Sequence, residues 1–343
     1  MTEKTDVSAP AATSDVLVKL DDRVRLISTM LAATDFPDKA QQRKPHGTHA
    51  HSRATRKYLN EHTQHPAIRA TQALLDQGTP IEALFTLAMR LNLPDMRLTG
   101  EAPAWMPSGY LDQLRDFYTT ADLEGWWRKE RMVWDKALNE SLRVFKRVDF
   151  HTFLLPFVDE IKEEFVFIPN ISFPTDREIG IRHENQLICI APPPMAWGDS
   201  PPWPYDEETN LMHSYRSALV QYGRMLLHAM LRANANQVKE ATETELPLND
   251  QFRAQFPAWE DQFVELFVTA VVAMYLESHL NEAEYKSFVL MERKVRGMNI
   301  LPGTVSVLRR YLQEKGGTKY ATLVEFLPYF PKQLRVAKKI VNL

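Results

Sequence analysis

The chain has 343 residues, of which 44% are hydrophobic and 25% charged, a balance typical of a globular protein with a sizeable core. Its formal net charge is −3, so no overall basic field would recruit nucleic acid or anionic lipid. The single cysteine, Cys189, excludes an intramolecular disulfide and a cysteine-rich zinc module, and its short apolar run predicts a buried thiol.

The N-terminal segment, residues 1–20, is polar and lacks the basic start and apolar core of a signal peptide. No stretch of the chain approaches the roughly 18–20 apolar residues that a membrane span needs. We therefore expect a disordered tail on a cytoplasmic protein that does not insert into membranes. A single folded unit is predicted over residues 21–343.

The first part of this unit, residues 21–164, has helical periodicity. The predicted elements are a helix from Asp21, a basic connector over 44–65, short helices over 67–76 and 80–91, a loop over 93–107, a long helix over 122–146 and a helix over 150–164 kinked at Pro156. The connector contains His46-x-x-His49-x-His51. Such spacing can bind a metal, but without an acidic or cysteine partner it favours solvated histidines. His65, before Pro66, is predicted to fix a helix start.

The second part, residues 165–234, contains the β structure. Strands are predicted over 165–172, 178–183 and 186–191, and Glu184-Asn185 suits a tight hairpin turn between the last two. A proline-rich loop carrying Trp197 and Trp203 follows. It leads into a helix from about Asp206 to Arg232 that is apolar nearly all round and therefore predicted to be buried.

A polar connector is expected over 233–248, and the third part, residues 258–343, is again helical. Its first helix, over 258–280, is predicted to be buried and carries Glu265. This order of elements resembles that of gluzincins, the thermolysin-like metallopeptidases: a hairpin, a loop, a buried helix with a histidine (here His213) and a second buried helix with a glutamate. In those enzymes, H-E-x-x-H supplies two zinc ligands and a general base, and the later glutamate is the third ligand.

More closely, the chain resembles a gluzincin-like family of unknown function, DUF 4932, typified by H-E-F-S-H-S-F-V-N. The resemblance covers roughly Asp21 to Phe330, and its clearest passages are Thr63-Gln64-His65-Pro66-Ala67, Phe263-Val264-Glu265-Leu266-Phe267-Val268-Thr269-Ala270-Val271, Arg310-Tyr311-Leu312, and Tyr320 with Glu325-Phe326-Leu327-Pro328. It implies an α+β, predominantly helical, zincin-like fold with a small sheet beside the motif helix. It implies a peptidase-type zinc site but no particular substrate.

When the chain is aligned with the family pattern, the zinc-binding motif is degenerate: His213-Ser214-Tyr215-Arg216-Ser217 replaces H-E-x-x-H. Ser214 stands at the position of the general base and has no lone pair basic enough to take a proton from water. Ser217 stands at the lost second ligand, which leaves His213 and Glu265 as vestigial metal ligands. An offset register, with Thr209 and Asn210 at the first two motif positions, loses the base and one ligand as well.

Arg216 lies beside the lost site, where its charge would oppose a cation; the alternative is that it pairs with Glu265 and fills the vacated site with an ion pair. The favoured function is a catalytically inactive pseudo-peptidase that retains a cleft for a peptide or protein partner and needs no cofactor. The expected cleft residues are Tyr215, Arg216, Trp197 and Trp203. One alternative is a zinc-dependent hydrolase whose ligand set is rebuilt from residues such as His183 or His228. Another is a structural interaction subunit that uses the tryptophan loop.

Overall fold

The computed structural model describes residues 14–42, 50–172, 177–194, 202–208, 211–317 and 319–341. It is predominantly helical with a small mixed sheet, which confirms the α+β class expected from the sequence. Within these ranges no helix is both long enough and apolar enough to cross a membrane.

The strands are β1 (Val16–Val18), β2 (Leu91–Asn92), β3 (Arg97–Leu98), β4 (Glu164–Pro169), β5 (Ile179–His183) and β6 (Gln186–Ala191). The helices are α1 (Asp22–Ala33), α2 (Phe36–Gln42), α3 (Ala50–Tyr58), α4 (Pro66–Asp76), α5 (Ile81–Met89), α6 (Tyr110–Thr120), α7 (Leu123–Lys129), α8 (Arg131–Val144), α9 (Phe150–Val158), α10 (Leu211–Ala233), α11 (Ala235–Thr242), α12 (Asp250–Gln255), α13 (Trp259–His279), α14 (Glu282–Val295), α15 (Leu301–Glu314), α16 (Leu323–Phe326) and α17 (Phe330–Val341).

The main sheet has the strand order β1-β4-β6-β5. β1, β4 and β6 run parallel, and β5 pairs antiparallel with β6 through the predicted hairpin. Glu184 in its turn adopts a left-handed backbone with φ of 50°. β1 lies inside the segment 1–20 that the sequence analysis assigned to a disordered tail, so that assignment is wrong for Val16–Val18. The rest of that segment, residues 1–13, lies outside the described residues.

Both faces of this sheet are buried. Along β4, Phe165 and Phe167 join one apolar core, whereas Val166 and Ile168 join a second core on the opposite face. The second core is built mainly with α1 and α4–α7, and the first with α8–α10 and the helices that follow. The chain therefore folds as helices on either side of a central sheet, and β4 is apolar along most of its length because it faces both layers.

The two helices that were predicted to be buried lie on the same side of the sheet. α10 packs on β5, β6 and α13, and α13 is buried without interruption from Gln262 to Leu276. Gly180 on β5 leaves room for Gln221 of α10, because a Cβ atom at position 180 would lie 3.1 Å from the Cβ and 2.5 Å from the Oε1 of Gln221. The glycine therefore allows the Gln221 side chain to pack between the hairpin and the motif helix.

Several predicted boundaries were wrong. The helix predicted over 122–146 is interrupted at Glu130, which separates α7 from α8, and α9 ends at Val158 with Pro156 still inside it. α10 begins at Leu211 rather than near Asp206. The connector predicted over 44–65 contains α3. In the connector predicted over 233–248, the structure has α11 instead, which is anchored by the buried Val238 and Ala241.

Two local predictions are confirmed. His65 is the N-cap of α4, where its Nδ1 accepts a hydrogen bond from the backbone N–H of Ala67 at 3.2 Å. Cys189 is fully buried in β6, and burial raises the pKa of its thiol well above the ordinary value. A thiol in this environment is neither a nucleophile nor a metal ligand.

Candidate functional site

The two serines of the degenerate motif are fully buried on α10. The Ser214 hydroxyl donates to the carbonyl of Tyr205 at 3.0 Å, and the Ser217 hydroxyl donates to the carbonyl of His213 at 2.9 Å. Both side chains therefore satisfy backbone acceptors. Ser214 in addition ties the segment before α10 to the helix.

His213 lies at the partly buried N-terminal end of α10, and its Nε2 is 3.2 Å from the carbonyl oxygen of Pro192. A carbonyl oxygen can only accept a hydrogen bond, so Nε2 must be the donor and must carry the proton. In this position Nε2 has no lone pair for a metal ion. The contact joins α10 to the segment that follows β6.

Tyr215 was expected in a cleft but packs against the core. Its hydroxyl donates to the carbonyl of Val144 at 3.1 Å, and its ring makes edge contacts with Phe145, Phe150 and Tyr275. The ring is half-buried. Its contacts join α10 to the end of α8 and to α13.

Glu265, the predicted vestigial ligand on α13, is held by two arginines. The Arg224 Nε donates to its Oε1 at 2.5 Å, and the Arg296 Nη2 donates to its Oε2 at 2.8 Å. Each carboxylate oxygen therefore already has a cationic partner. Burial alone raises the pKa of Glu265, but its hydrogen bond with Arg224 and the charges of both arginines outweigh this effect and lower the pKa below its ordinary value.

Arg216 does not pair with Glu265, so the alternative partner raised from the sequence is wrong. Its Nη1 donates to Glu178 at 3.1 Å, and its Nε lies 3.6 Å from a carboxylate oxygen of Glu292. Two helical turns separate Arg216 from Arg224 along α10, a rise of about 12 Å. It is therefore Arg224, and not Arg216, that lies opposite Glu265.

A further contact closes these pairs into one cluster, because the Arg296 Nη1 donates to Glu292 at 3.1 Å. We call the six side chains the charge network: Glu178, Arg216, Glu292, Arg296, Glu265 and Arg224. It joins the start of β5 to α10, α13 and the C-terminal end of α14. Positive and negative groups alternate along it, so each charge that leaves water has an opposite neighbour.

The electrostatic effect is largest at Glu178. Burial raises the pKa of this carboxyl group, but the charge of Arg216, a backbone hydrogen bond and the smaller charge effects of Arg224 and His213 outweigh it, and the resulting pKa is about 2. Conversely, the charge of Glu178 raises the pKa of Arg216, with Glu292 and Glu265 contributing in the same direction. Both groups are thus held in their charged forms at neutral pH.

Of the other histidines raised as candidate ligands, His228 lies one helical turn beyond Arg224 on α10, where the charges of Arg224 and Glu265 act on its ring. The His228 Nε2 is 3.9 Å from Asp261, and burial lowers the pKa of its ring. His183 ends β5 at the edge of an open pocket of about 890 Å³ that Glu164 also lines. The His51 Nδ1 lies 3.4 Å from Glu130. Among the described residues, no group of three or more His, Cys, Asp or Glu side chains is arranged to hold a metal ion.

The carboxylate of Glu265 does not fit a zinc ion in this arrangement, because both of its oxygens accept hydrogen bonds from arginines. The Nε2–H of His213 donates to a carbonyl, so Nδ1 is the ring nitrogen that carries a lone pair. A catalytic zinc ion needs three deprotonated protein ligands and an open position.

The tryptophan loop is described only in part. Trp203 is 42% exposed, and its backbone N–H donates to the carbonyl of Pro194 at 2.9 Å. Pro192, two residues before Pro194, is the partner of His213, so this segment joins Trp203 to the start of α10. Trp197, His46, His49, Thr209 and Asn210 lie outside the described residues.

Four members of the charge network were missed in the sequence analysis: Glu178, Arg224, Glu292 and Arg296. Two signals were available. Arg216 and Arg224 lie on a helix that was predicted to be buried, and Glu292 and Arg296 are spaced for an i, i+4 ion pair. Charged side chains at such positions indicate partners on neighbouring elements.

Comparisons with protein families, with curated proteins and with solved structures each find no match to this chain.

Proposed function

We propose that this chain is a non-catalytic binding protein, a pseudo-peptidase with a gluzincin-like arrangement, that accepts a peptide or protein partner beside α10 and α13. The observation that carries the proposal is the state of Glu265, whose two oxygens are both engaged by arginines. A glutamate in this state is a structural anion rather than an open metal ligand.

The arrangement of elements supports the gluzincin-like part of the proposal. An antiparallel edge strand, β5, lies beside a long helix that carries the motif, and α13 packs against that helix. At the position of the general base, Ser214 donates to a backbone carbonyl. A serine engaged in this way supplies no base to activate water.

Metal content and hydrolysis test the non-catalytic part. Protein purified after expression with added zinc is dialysed against buffer without chelator, and its zinc content is measured by plasma mass spectrometry. We expect much less than one zinc per chain and no hydrolysis of a casein-derived fluorogenic peptide. One zinc per chain that disappears in His213→Ala would instead establish the alternative of a zinc-dependent hydrolase.

Binding is tested separately with an array of immobilised twelve-residue peptides of mixed composition. The proposal predicts that a subset of these peptides is retained by the purified chain. An array on which no peptide is retained would overturn it and favour the interaction subunit, for which the exposed ring of Trp203 is the relevant feature. In that case Trp203→Ala should change the oligomeric state measured by light scattering.

A further inference from the structure

The charge network is not symmetrical with respect to solvent. Its three carboxylate side chains are only 2–10% exposed, whereas its three guanidinium side chains are 21–28% exposed. The formal charges of the six side chains sum to zero, but the carboxylates are buried below the protein surface and the guanidinium groups are nearer to solvent. Such a double layer presents a positive potential to an approaching ligand, because the nearer charges dominate at short distance.

Arg224 is the most exposed of the three arginines and has donors to spare. Its Nε donates to Glu265, while its two terminal nitrogens have no hydrogen-bond partner among the described residues and are not buried. The two N–H groups of such a fork match the two oxygens of a carboxylate. Arg224 can engage a ligand without leaving Glu265 unpaired, because Arg296 also holds that carboxylate.

We infer that the surface of the proposed binding protein selects acidic peptides, whose side-chain or terminal carboxylate docks on the terminal nitrogens of Arg224. This inference rests on the proposed function and names the class of ligand. Asp261, whose side chain is 47% exposed beside His228, contributes a negative charge near this surface. The three partly exposed guanidinium groups of the charge network outnumber this carboxylate.

Fluorescence polarisation with two defined probes tests the inference. One probe is a fluorescein-labelled heptapeptide with three glutamates, and the other has glutamine at the same three positions; both are acetylated and amidated. We expect the glutamate probe to bind at least about tenfold more tightly, since a charge-assisted hydrogen bond typically changes affinity by this factor or more. Raising the ionic strength should weaken its binding, because the site is open to solvent.

Variants of the arginine locate the contact. Arg224→Gln should weaken binding of the glutamate probe roughly tenfold or more and leave the glutamine probe unchanged. Arg224→Lys, which keeps the charge but loses the fork, should bind with an intermediate affinity. The matched control is Arg131→Gln on α8, whose side chain is 79% exposed and pairs with Asp135, and it should bind both probes like the wild type.

The inference and the proposed function fail differently. Suppose that neutral peptides are retained on the array, but the glutamate and glutamine probes bind equally or neither probe binds. The proposed binding function then survives, and the selectivity for acidic peptides is overturned. Equal binding of the glutamate probe by Arg224→Gln and the wild type would also overturn it. If Arg224→Gln does not fold, Arg224→Lys decides the question, because it retains a cation opposite Glu265.

Discussion

Replacement of Glu265 by glutamine tests whether the charge network stabilises the fold. The substitution keeps the size of the side chain but removes the anion between Arg224 and Arg296. Removal of one partner of a fully buried ion pair costs about 3–5 kcal/mol. Two features reduce this cost: both arginines keep contact with solvent, and Arg296 retains Glu292. We therefore expect the free energy of unfolding to fall by about 2–3 kcal/mol.

Urea unfolding followed by circular dichroism measures this difference. The control is Glu240→Gln on the exposed side of α11, which should change the free energy of unfolding by less than about 0.5 kcal/mol. The double variant Glu265→Gln with Arg224→Gln should lose less stability than the sum of the two single variants, because it leaves no unpaired cation. A Glu265→Gln variant as stable as the wild type would refute the structural role assigned to this carboxylate.

The remaining predictions concern pH, packing and exposure. The folded-state pKa of Glu178 lies near 2, below its ordinary value of 4.5, so the ionised Glu178 carboxylate stabilises the folded state. We expect this contribution to be complete above about pH 5 and to be lost as the pH falls towards 2. The free energy of unfolding, measured as a function of pH, tests this. Gly180→Ala should lower the free energy of unfolding, measured by thermal unfolding, by about 1–3 kcal/mol. Adding Gln221→Ala to this variant should restore much of the lost stability, because it removes the side chain that the new Cβ atom would meet. A Gly180→Ala variant as stable as the wild type would contradict the close contact between Gly180 and Gln221. Trp203→Ala should lower the free energy of unfolding by less than about 1 kcal/mol, because Trp203 is 42% exposed. Trp134 is only 2% exposed, so Trp134→Ala should lower it by about 3–5 kcal/mol. Equal losses of stability in the two variants would show that Trp203 belongs to the core.

The sequence by itself determined features that depend on neighbouring residues. The β5–β6 hairpin, the burial of the middle of α13, the buried thiol of Cys189 and the cap that His65 provides were all predicted correctly. Each follows from periodicity, turn residues or a local hydrogen bond, which act over only a few positions in the chain. The degenerate motif was also visible, because it depends only on which residues occupy five consecutive positions.

Only the tertiary structure decided which distant groups meet. β1 forms because β4 offers it a free edge, and the break between α7 and α8 falls at the buried Glu130, whose carboxylate contacts His51 of α3. The charge network joins Glu178 to residues more than 110 positions later in the chain, such as Glu292. Charges at such separations have no local pattern. Their pairing depends on how α10, α13 and α14 pack, and this packing placed Arg224 rather than Arg216 opposite Glu265.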